Sequence, residues 1–297
     1  MHAAKLPSAK ALKLLHERKL LPAFPAILAK LDEVIARPNS RTEDVANLVA
    51  ADVLLASKLM RAASAVRYGP KPAANLVEAV ARLGFTEVRA VAVAIAFSRS
   101  FSQSANIPMT PFWQHAFASA VATKAITLWL NEYQPSMVCD GVTAFLMGLL
   151  HDLGMLMLDA LEPEIYAQVI EAVKSGEDQL LAERRLLGTT HALMSGALSH
   201  HWRFSDQMSM ALAAHHYPIR LQPVGRSWAD AILLGEAMAV SLGYTNGVYT
   251  QFSPSMQEIV EARKEALSCD DAIWQTLQQQ VSTQLIDEGW LALADGV

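Results

Sequence analysis

The sequence predicts an all-α protein, a bundle of many helices. Apolar residues recur at helical spacing along nearly the whole chain, and no stretch alternates with the period of a strand. The composition agrees. Hydrophobic residues are 52% of the 297 and charged residues 18%, with Gly and Pro sparse and Val and Ile scattered among Ala and Leu. That is enough apolar material for a large core and argues against disorder.

The elements follow in order. Leu12 to Leu20 reads as an amphipathic helix. Pro22 and Pro25 interrupt the chain, and Ala26 to Ala36 forms the next helix, ended by Pro38-Asn39. Ser40-Arg41-Thr42-Glu43 has the spacing of a capping box, so a helix should start there. Glu43 to Ala50 and Val53 to Ala65 are the apolar-periodic runs after it, and Tyr68-Gly69-Pro70 with Pro72 is a loop. Asn75 caps Leu76 to Leu83, Gly84 ends it, and Thr86 to Phe101 is a further, strongly apolar helix.

The polar stretch from Ser102 to Pro108 reads as a linker. Thr110-Pro111 then opens a helix running to about Leu130, with a capping hydroxyl followed by proline at the first helical position. After a break at Pro135, one helix spans Cys139 to Leu158. Shorter helices follow at Pro163 to Lys174, Asp178 to Leu187, His191 to Trp202 and Asp206 to His215. Pro218 and Pro223 mark a loop before Ala229 to Leu242. Asn246 to Pro254 is another loop, and Ser255 to Ala266 and Asp270 to Gly289 close the series. This divides the chain into a helical extension over 1–20, an N-terminal helical subdomain over 21–105, a histidine-bearing subdomain over 106–245 and a C-terminal helical extension over 246–297.

Bulk properties exclude several functions. The net charge of −5 gives no support to a general nucleic-acid-binding role. Cys139 and Cys269 are far apart and form neither a disulfide framework nor a zinc–thiolate site, which fits a reducing cytoplasm. Met1 to Lys19 mixes basic residues with scattered Leu and lacks the apolar region of a signal peptide. Val142 to Leu158 is the greasiest stretch. It is short for a membrane span and reads as a buried core helix.

The chemistry concentrates in the histidines. Seven of the nine fall between residues 115 and 216. A histidine by itself is more often a surface or hydrogen-bonded structural residue, and His2, His16, His200 and His201 are read so. His151-Asp152 is different. In Ala144 to Leu158 these are the only strongly polar side chains, and a buried Asp needs a metal ion or a hydrogen-bonded partner to offset its lost hydration. Adjacent residues on a helix point about 100° apart, yet both can reach one ion in a groove between helices. Further ligands would come from other helices: His115, His191, His215 and His216 are the candidates. Imidazole with carboxylate and no thiolate suits iron, manganese, zinc or nickel. Such a site could activate water and polarise a phosphoryl oxygen.

These residues carry a resemblance. Gly148-Leu149-Leu150-His151-Asp152-Leu153-Gly154 resembles the signature of the HD metal-dependent phosphohydrolase superfamily. The context is similar to its HDOD branch. Leu21-Pro22-Ala23-Phe24-Pro25-Ala26, Asp52 to Ala65, Glu78 to Arg89, Phe112-Trp113-Gln114-His115, Thr190-His191-Ala192 with Gly196, and His215-His216 all look like that family's motifs, over roughly residues 20–220.

The resemblance implies an HD-domain-like bundle with an N-terminal helical subdomain. It implies metal ligands at His115, His151, Asp152, His191, His215 and His216, with His151 and Asp152 central to any catalysis. The later acid of the relatives falls on Glu236 in place of Asp, Asp230 being a weaker candidate. Met155 stands where cyclic-di-GMP phosphodiesterases carry Lys, and Val53 and Ser64 depart from the family's Pro and Asn. On these grounds we expect a cytoplasmic HDOD-type signalling or regulatory protein, with a metal-capable site, little or no catalysis and no nucleic-acid or membrane partner. Its ligand would be a regulatory protein or a nucleotide. The alternative is an active metal-dependent phosphohydrolase acting on a nucleotide or cyclic dinucleotide.

Overall fold

In the computed structural model, which describes residues 23–65, 71–133, 139–218, 221, 223–287, 290–291 and 294, every regular element is helical. Leu12 to Leu20, Leu21-Pro22, the turn at Tyr68-Gly69-Pro70 and the break at Pro135 lie outside the described residues.

Helices α1 (Ala26–Ile35), α2 (Thr42–Ala50) and α3 (Val53–Ala62) rest on the long α4 (Leu76–Ser100). Side-chain caps fix their ends. Asp52 Oδ1 accepts from the Leu55 amide at 3.0 Å and Asn75 Oδ1 from the Glu78 amide at 2.9 Å. The expected cap at Ser40 moves on by one residue. Helix α2 begins at Thr42, and the Asp44 carboxylate, rather than Glu43, reaches back to the Arg41 amide at 3.0 Å. The helix α4 carries the expected break at Gly84, whose φ of 73° and ψ of 162° kink it into the two runs read from the sequence.

The axis of the fold is α5 (Met109–Tyr133). It is buried on nearly every side and packs against α6 (Gly141–Leu150), α12 (Pro223–Ser241) and α14 (Asp271–Asp287). Close approach depends on glycine. A Cβ on Gly235 would stand 2.3 Å from Thr123 Oγ1, and one on Gly148 2.6 Å from the Ser119 carbonyl. Around this axis run α7 (Leu153–Leu161), α8 (Pro163–Lys174), α9 (Gln179–Leu187), α10 (His191–His201), α11 (Asp206–Ala213) and α13 (Pro254–Ala266).

Three expectations are corrected. The helix expected from Cys139 to Leu158 is two helices, interrupted at His151-Asp152. Asp152 takes φ −99° and ψ 0°, and the Gly154 amide donates to Ser195 Oγ at 2.8 Å instead of continuing the helical ladder. The axis helix starts at Met109, just before Thr110-Pro111. Pro223, read as loop, is the first residue of α12, where a missing N–H costs nothing. The Gly141–Leu161 stretch is long and apolar enough to cross a membrane, but its most apolar 18 residues are 89% buried within the structure, so it serves as core. Cys139 and Cys269 are buried and unbridged.

The N-terminal helices join the rest through aromatic packing. Phe24 meets Phe97 and Phe204, and Phe97 meets Trp202 at 4.9 Å between ring centroids. The polar stretch from Ser102 to Pro108 is anchored at its centre. The fully buried Asp159 accepts from Ser104 Oγ, the Ala105 amide at 2.7 Å and Asn106 Nδ2 at 2.6 Å, immediately before α5. Asp159→Ala strands these donors. Urea denaturation of the variant should show a loss of about 3 kcal/mol with helical content kept.

Candidate metal centre

All seven residues singled out in the sequence converge on one buried space. His115 comes from the second turn of α5, and His151 and Asp152 from the break between α6 and α7. His191 is the first residue of α10, His215-His216 the turn after α11, and Glu236 lies in α12. None is more than 5% exposed. Asp230 does not join them. It is held by a two-pronged ion pair with Arg263 at 2.7 Å on both oxygens, facing α13. His200 lies outside the centre, at the exposed end of α10.

The interruption at His151-Asp152 is what lets neighbouring residues serve one centre. The two side chains point into the same space rather than 100° apart on an intact helix. Asp152 lies at the middle. Its Oδ2 is 3.5 Å from His115 Nε2 and 3.5 Å from His151 Nε2, and those two nitrogens are 3.3 Å apart. Its Oδ1 faces the other way, 3.4 Å from His191 Nε2. Atoms bound about 2.1 Å from one tetrahedral ion lie about 3.4 Å from each other. The residues thus fall into two quartets sharing Asp152: His115, His151, Asp152 and Glu236, and Asp152, His191, His215 and His216. Within each, the candidate ligand atoms are all within 4.8 Å of one another.

Hydrogen bonds at the outer edge of the imidazoles fix their inner edge. Nδ1 of His115 donates to the Tyr244 carbonyl at 2.8 Å, that of His151 to Gly148 O at 2.7 Å and that of His215 to Leu212 O at 2.7 Å. Nδ1 of His191 meets the Glu183 carboxylate at 2.9 Å. A carbonyl only accepts, so in His115, His151 and His215 a proton sits on Nδ1 and Nε2 is the edge left for the centre. Four inward-facing atoms have no hydrogen-bond partner: Asp152 Oδ1, His215 Nε2, His216 Nδ1 and Glu236 Oε2. Unpartnered polar atoms in a sealed interior are costly, and a cation would take up lone pairs there once the histidines give up their inward protons. The donor set therefore fits a divalent transition metal.

Electrostatics point the same way. Burial drives His151 down to about 4 and, with neighbouring imidazoles, His215 and His216 well below the usual histidine range. At His191 burial acts downward too, but the carboxylates of Glu183, Asp152 and Glu236 outweigh it and hold it at about 9. Burial and then Asp152 push Glu236 up to about 7. Burial would raise Asp152, yet the surrounding histidines, His151 first, hold it well below the carboxylate range. At His115 burial acts downward, but the Asp152 carboxylate outweighs it and raises the imidazole. The centre is thus an anion among three imidazoles kept neutral, His151, His215 and His216, and two raised by carboxylates, His115 and His191.

Several residues at the site escaped the sequence reading. Glu183, fully buried behind His191, also takes the His191 amide at 2.7 Å and Gln179 Nε2 at 3.0 Å. Its flanking Arg184 and Arg185 make that stretch look like a solvated face. Asn246 and Tyr249 lie in a loop where Asn246-Gly247 reads as a turn signal. Asn246 Nδ2 donates to Asp152 Oδ2 at 2.9 Å, and Tyr249 Oη donates to Glu236 Oε1 at 2.7 Å.

A buried His-Asp centre at the junction of two core helices, in an all-α bundle, defines the class. The HDOD domain model matches residues 21–218, and the chain belongs to the HDOD family. Solved structures share the architecture. A Shewanella amazonensis SB2B protein whose name proposes a phosphohydrolase superposes with a TM-score of 0.72 at 20% identity, over 97% of this chain and 98% of that one. An HDOD domain protein of unknown function from Geobacter sulfurreducens gives 0.72 at 19% identity, over 96% and 97%. A Marinobacter aquaeolei VT8 protein whose name proposes a role in signal transduction gives 0.69 at 20% identity, over 98% and 68%. At these identities the likeness speaks for the fold. An uncharacterized Treponema pallidum (strain Nichols) protein is 23% identical over 199 residues, which are 66% of this chain and 37% of that protein's length.

Gly154 ties the centre to its neighbour helix. A Cβ there would stand 2.0 Å from the His191 carbonyl and 2.9 Å from Met194 Cβ. Gly154→Ala must push α7 off α10 at the residue bearing His191. The variant should lose about 1–3 kcal/mol in thermal or urea unfolding, and it should bind divalent metal more weakly in calorimetry.

Proposed function

We propose that this chain is an HDOD-type regulatory module built on a divalent transition-metal centre, with hydrolysis at most a minor property. The observation that carries the reading is the convergence of six buried imidazole and carboxylate groups on a seventh, Asp152, with four of the inward atoms unpartnered. Nitrogen and oxygen ligands without thiolate favour iron, manganese, zinc or nickel. His115, His151, Asp152 and Glu236 would hold one ion, and Asp152, His191, His215 and His216 a second. Bound there, a divalent ion would act as a Lewis acid toward a phosphoryl oxygen and make water more acidic.

The surroundings favour regulation over turnover. A cleft of about 450 Å³ reaches the centre at His191 and His216, between the α8–α9 turn and the 248–256 segment. Beside His191, its lining includes one Lys, Lys174, whose ammonium is engaged by Glu171 at 2.8 Å. Little in that wall would steady the charge of a phosphoryl group in transfer. Where phosphodiesterase relatives carry Lys, Met155 is fully buried and its Sδ lies 3.4 Å from Asn246 Nδ2. The same cleft supports the second reading, a metal-dependent phosphohydrolase, because it gives a nucleotide-sized ligand a path to His191 and His216. In the first reading the cleft holds a nucleotide that biases a regulatory protein contact.

Elemental analysis of protein purified without chelator should find bound transition metal, and Asp152→Ala should lose it, since Asp152 is shared by both quartets. Added metal should raise the melting temperature of the unsubstituted chain only. Saturation at a hundredfold excess over Kd corresponds to about 2.7 kcal/mol. Absence of metal and of any thermal shift would overturn the reading. Strong phosphodiester turnover that vanishes in Asp152→Ala would establish the second reading instead.

A further inference from the structure

One loop touches three of the seven residues of the centre. It follows α12 and lies beyond the segment matched by the family model. The Tyr244 carbonyl takes the Nδ1 proton of His115. Asn246 grips Asp152 Oδ2, and Tyr249 grips Glu236 Oε1. Both carboxylates are thereby held by one oxygen, and in both the other oxygen is orphaned inside the centre. The two orphans, Asp152 Oδ1 and Glu236 Oε2, are therefore aimed by groups on this loop.

The loop is itself rigidly placed. Asn246 Oδ1 accepts from the amides of Val248 at 3.1 Å and Tyr249 at 3.4 Å, which leaves only its NH₂ for Asp152. Gly247 has φ +83°, and a Cβ there would stand 2.4 Å from Pro108 Cγ, so the turn is seated against the start of α5. The Tyr249 phenol is pushed well above its ordinary range by burial and by Glu236, so it stays a donor. At its far end Ser253 Oγ donates to Asp178 Oδ2 at 2.7 Å, across the cleft that leads to His191 and His216. Val248 to Pro254 line that cleft.

We propose that residues 244–253 are a strap that sets the metal-facing oxygens of Asp152 and Glu236, with Asn246 and Tyr249 as positioning residues. The proposal rests on the metal-centre reading above. The strap makes a directional prediction because its two grips differ in reach. Tyr249 acts on Glu236, which belongs to one quartet. Asn246 acts on Asp152, which belongs to both.

The test is a titration of the full chain, stripped with chelator, with Mn²⁺ alone, followed by calorimetry and by the paramagnetic resonance of free Mn²⁺. The unsubstituted chain should bind at two positions. Tyr249→Phe should weaken one position about 10–100-fold and leave the other. Asn246→Ala should weaken both. Gln275→Ala, at an exposed position of α14 outside the strap and the cleft, should match the unsubstituted chain. General loosening of the fold would weaken both positions together in Tyr249→Phe, so that result overturns the positioning role, as does unchanged binding in either variant. Tyr249→Phe removes one hydroxyl and keeps the ring, so it serves as the decisive variant if Asn246→Ala does not fold. Failure of the unsubstituted chain to bind Mn²⁺ overturns the centre and the strap with it. Normal binding by that chain with an unaffected Tyr249→Phe overturns the strap alone.

Discussion

A carboxylate sealed inside an apolar bundle is the constraint on which this structure turns. Asp152 is 1% exposed, and stripping water from an ionised carboxylate costs many kcal/mol unless the protein supplies compensation. The compensation comes from three histidines at 3.4–3.5 Å and the amide of Asn246 at 2.9 Å. Each histidine is held by an acceptor behind it, and those acceptors come from α6, α9 and the loop after α12. The interior thus spends much of its polar chemistry on one charge, and the helices that supply it must meet at fixed distances.

That requirement explains features that look local. The break between α6 and α7 sacrifices a helical turn where continuity would separate His151 from Asp152. Glycines at 148, 154 and 235 let α6, α7 and α12 come close enough to bring their neighbours within reach. Asp159 pins the stretch ahead of α5, and α5 presents His115. A network of this kind is strong when every member is satisfied and costly when one is not. The four orphaned inward atoms show that protein groups alone leave it incomplete.

The departures from the motifs that the sequence resembles take on structural meaning in this setting. Met155 is not a vacancy in the pattern: its thioether backs the Asn246 amide, and that amide occupies Asp152 from a loop remote in sequence. Glu236 reaches the centre with one oxygen while Tyr249 holds the other. Substituting Glu for Asp adds a methylene, and a partner fixing one oxygen limits where the longer side chain can go.

The chain's own residue pattern determined a good deal. Helical periodicity, the cap at Asn75, and Gly84 as a helix breaker are local effects, set within a few residues, and they placed most elements to within a turn. His151-Asp152 was legible because polar residues in an apolar run stand out against their neighbours, and the spaced histidines because their side chain has few other uses in a core. Tertiary structure decided the rest. Whether His151-Asp152 lay in a helix or at a break depended on Ser195, 41 residues from Gly154, taking up an amide. The choice of Glu236 over Asp230 depended on Arg263, and Glu183, Asn246 and Tyr249 gained their roles from partners far along the chain. Hydrogen bonds between remote segments leave no periodicity in a sequence, so only the folded chain brings them together.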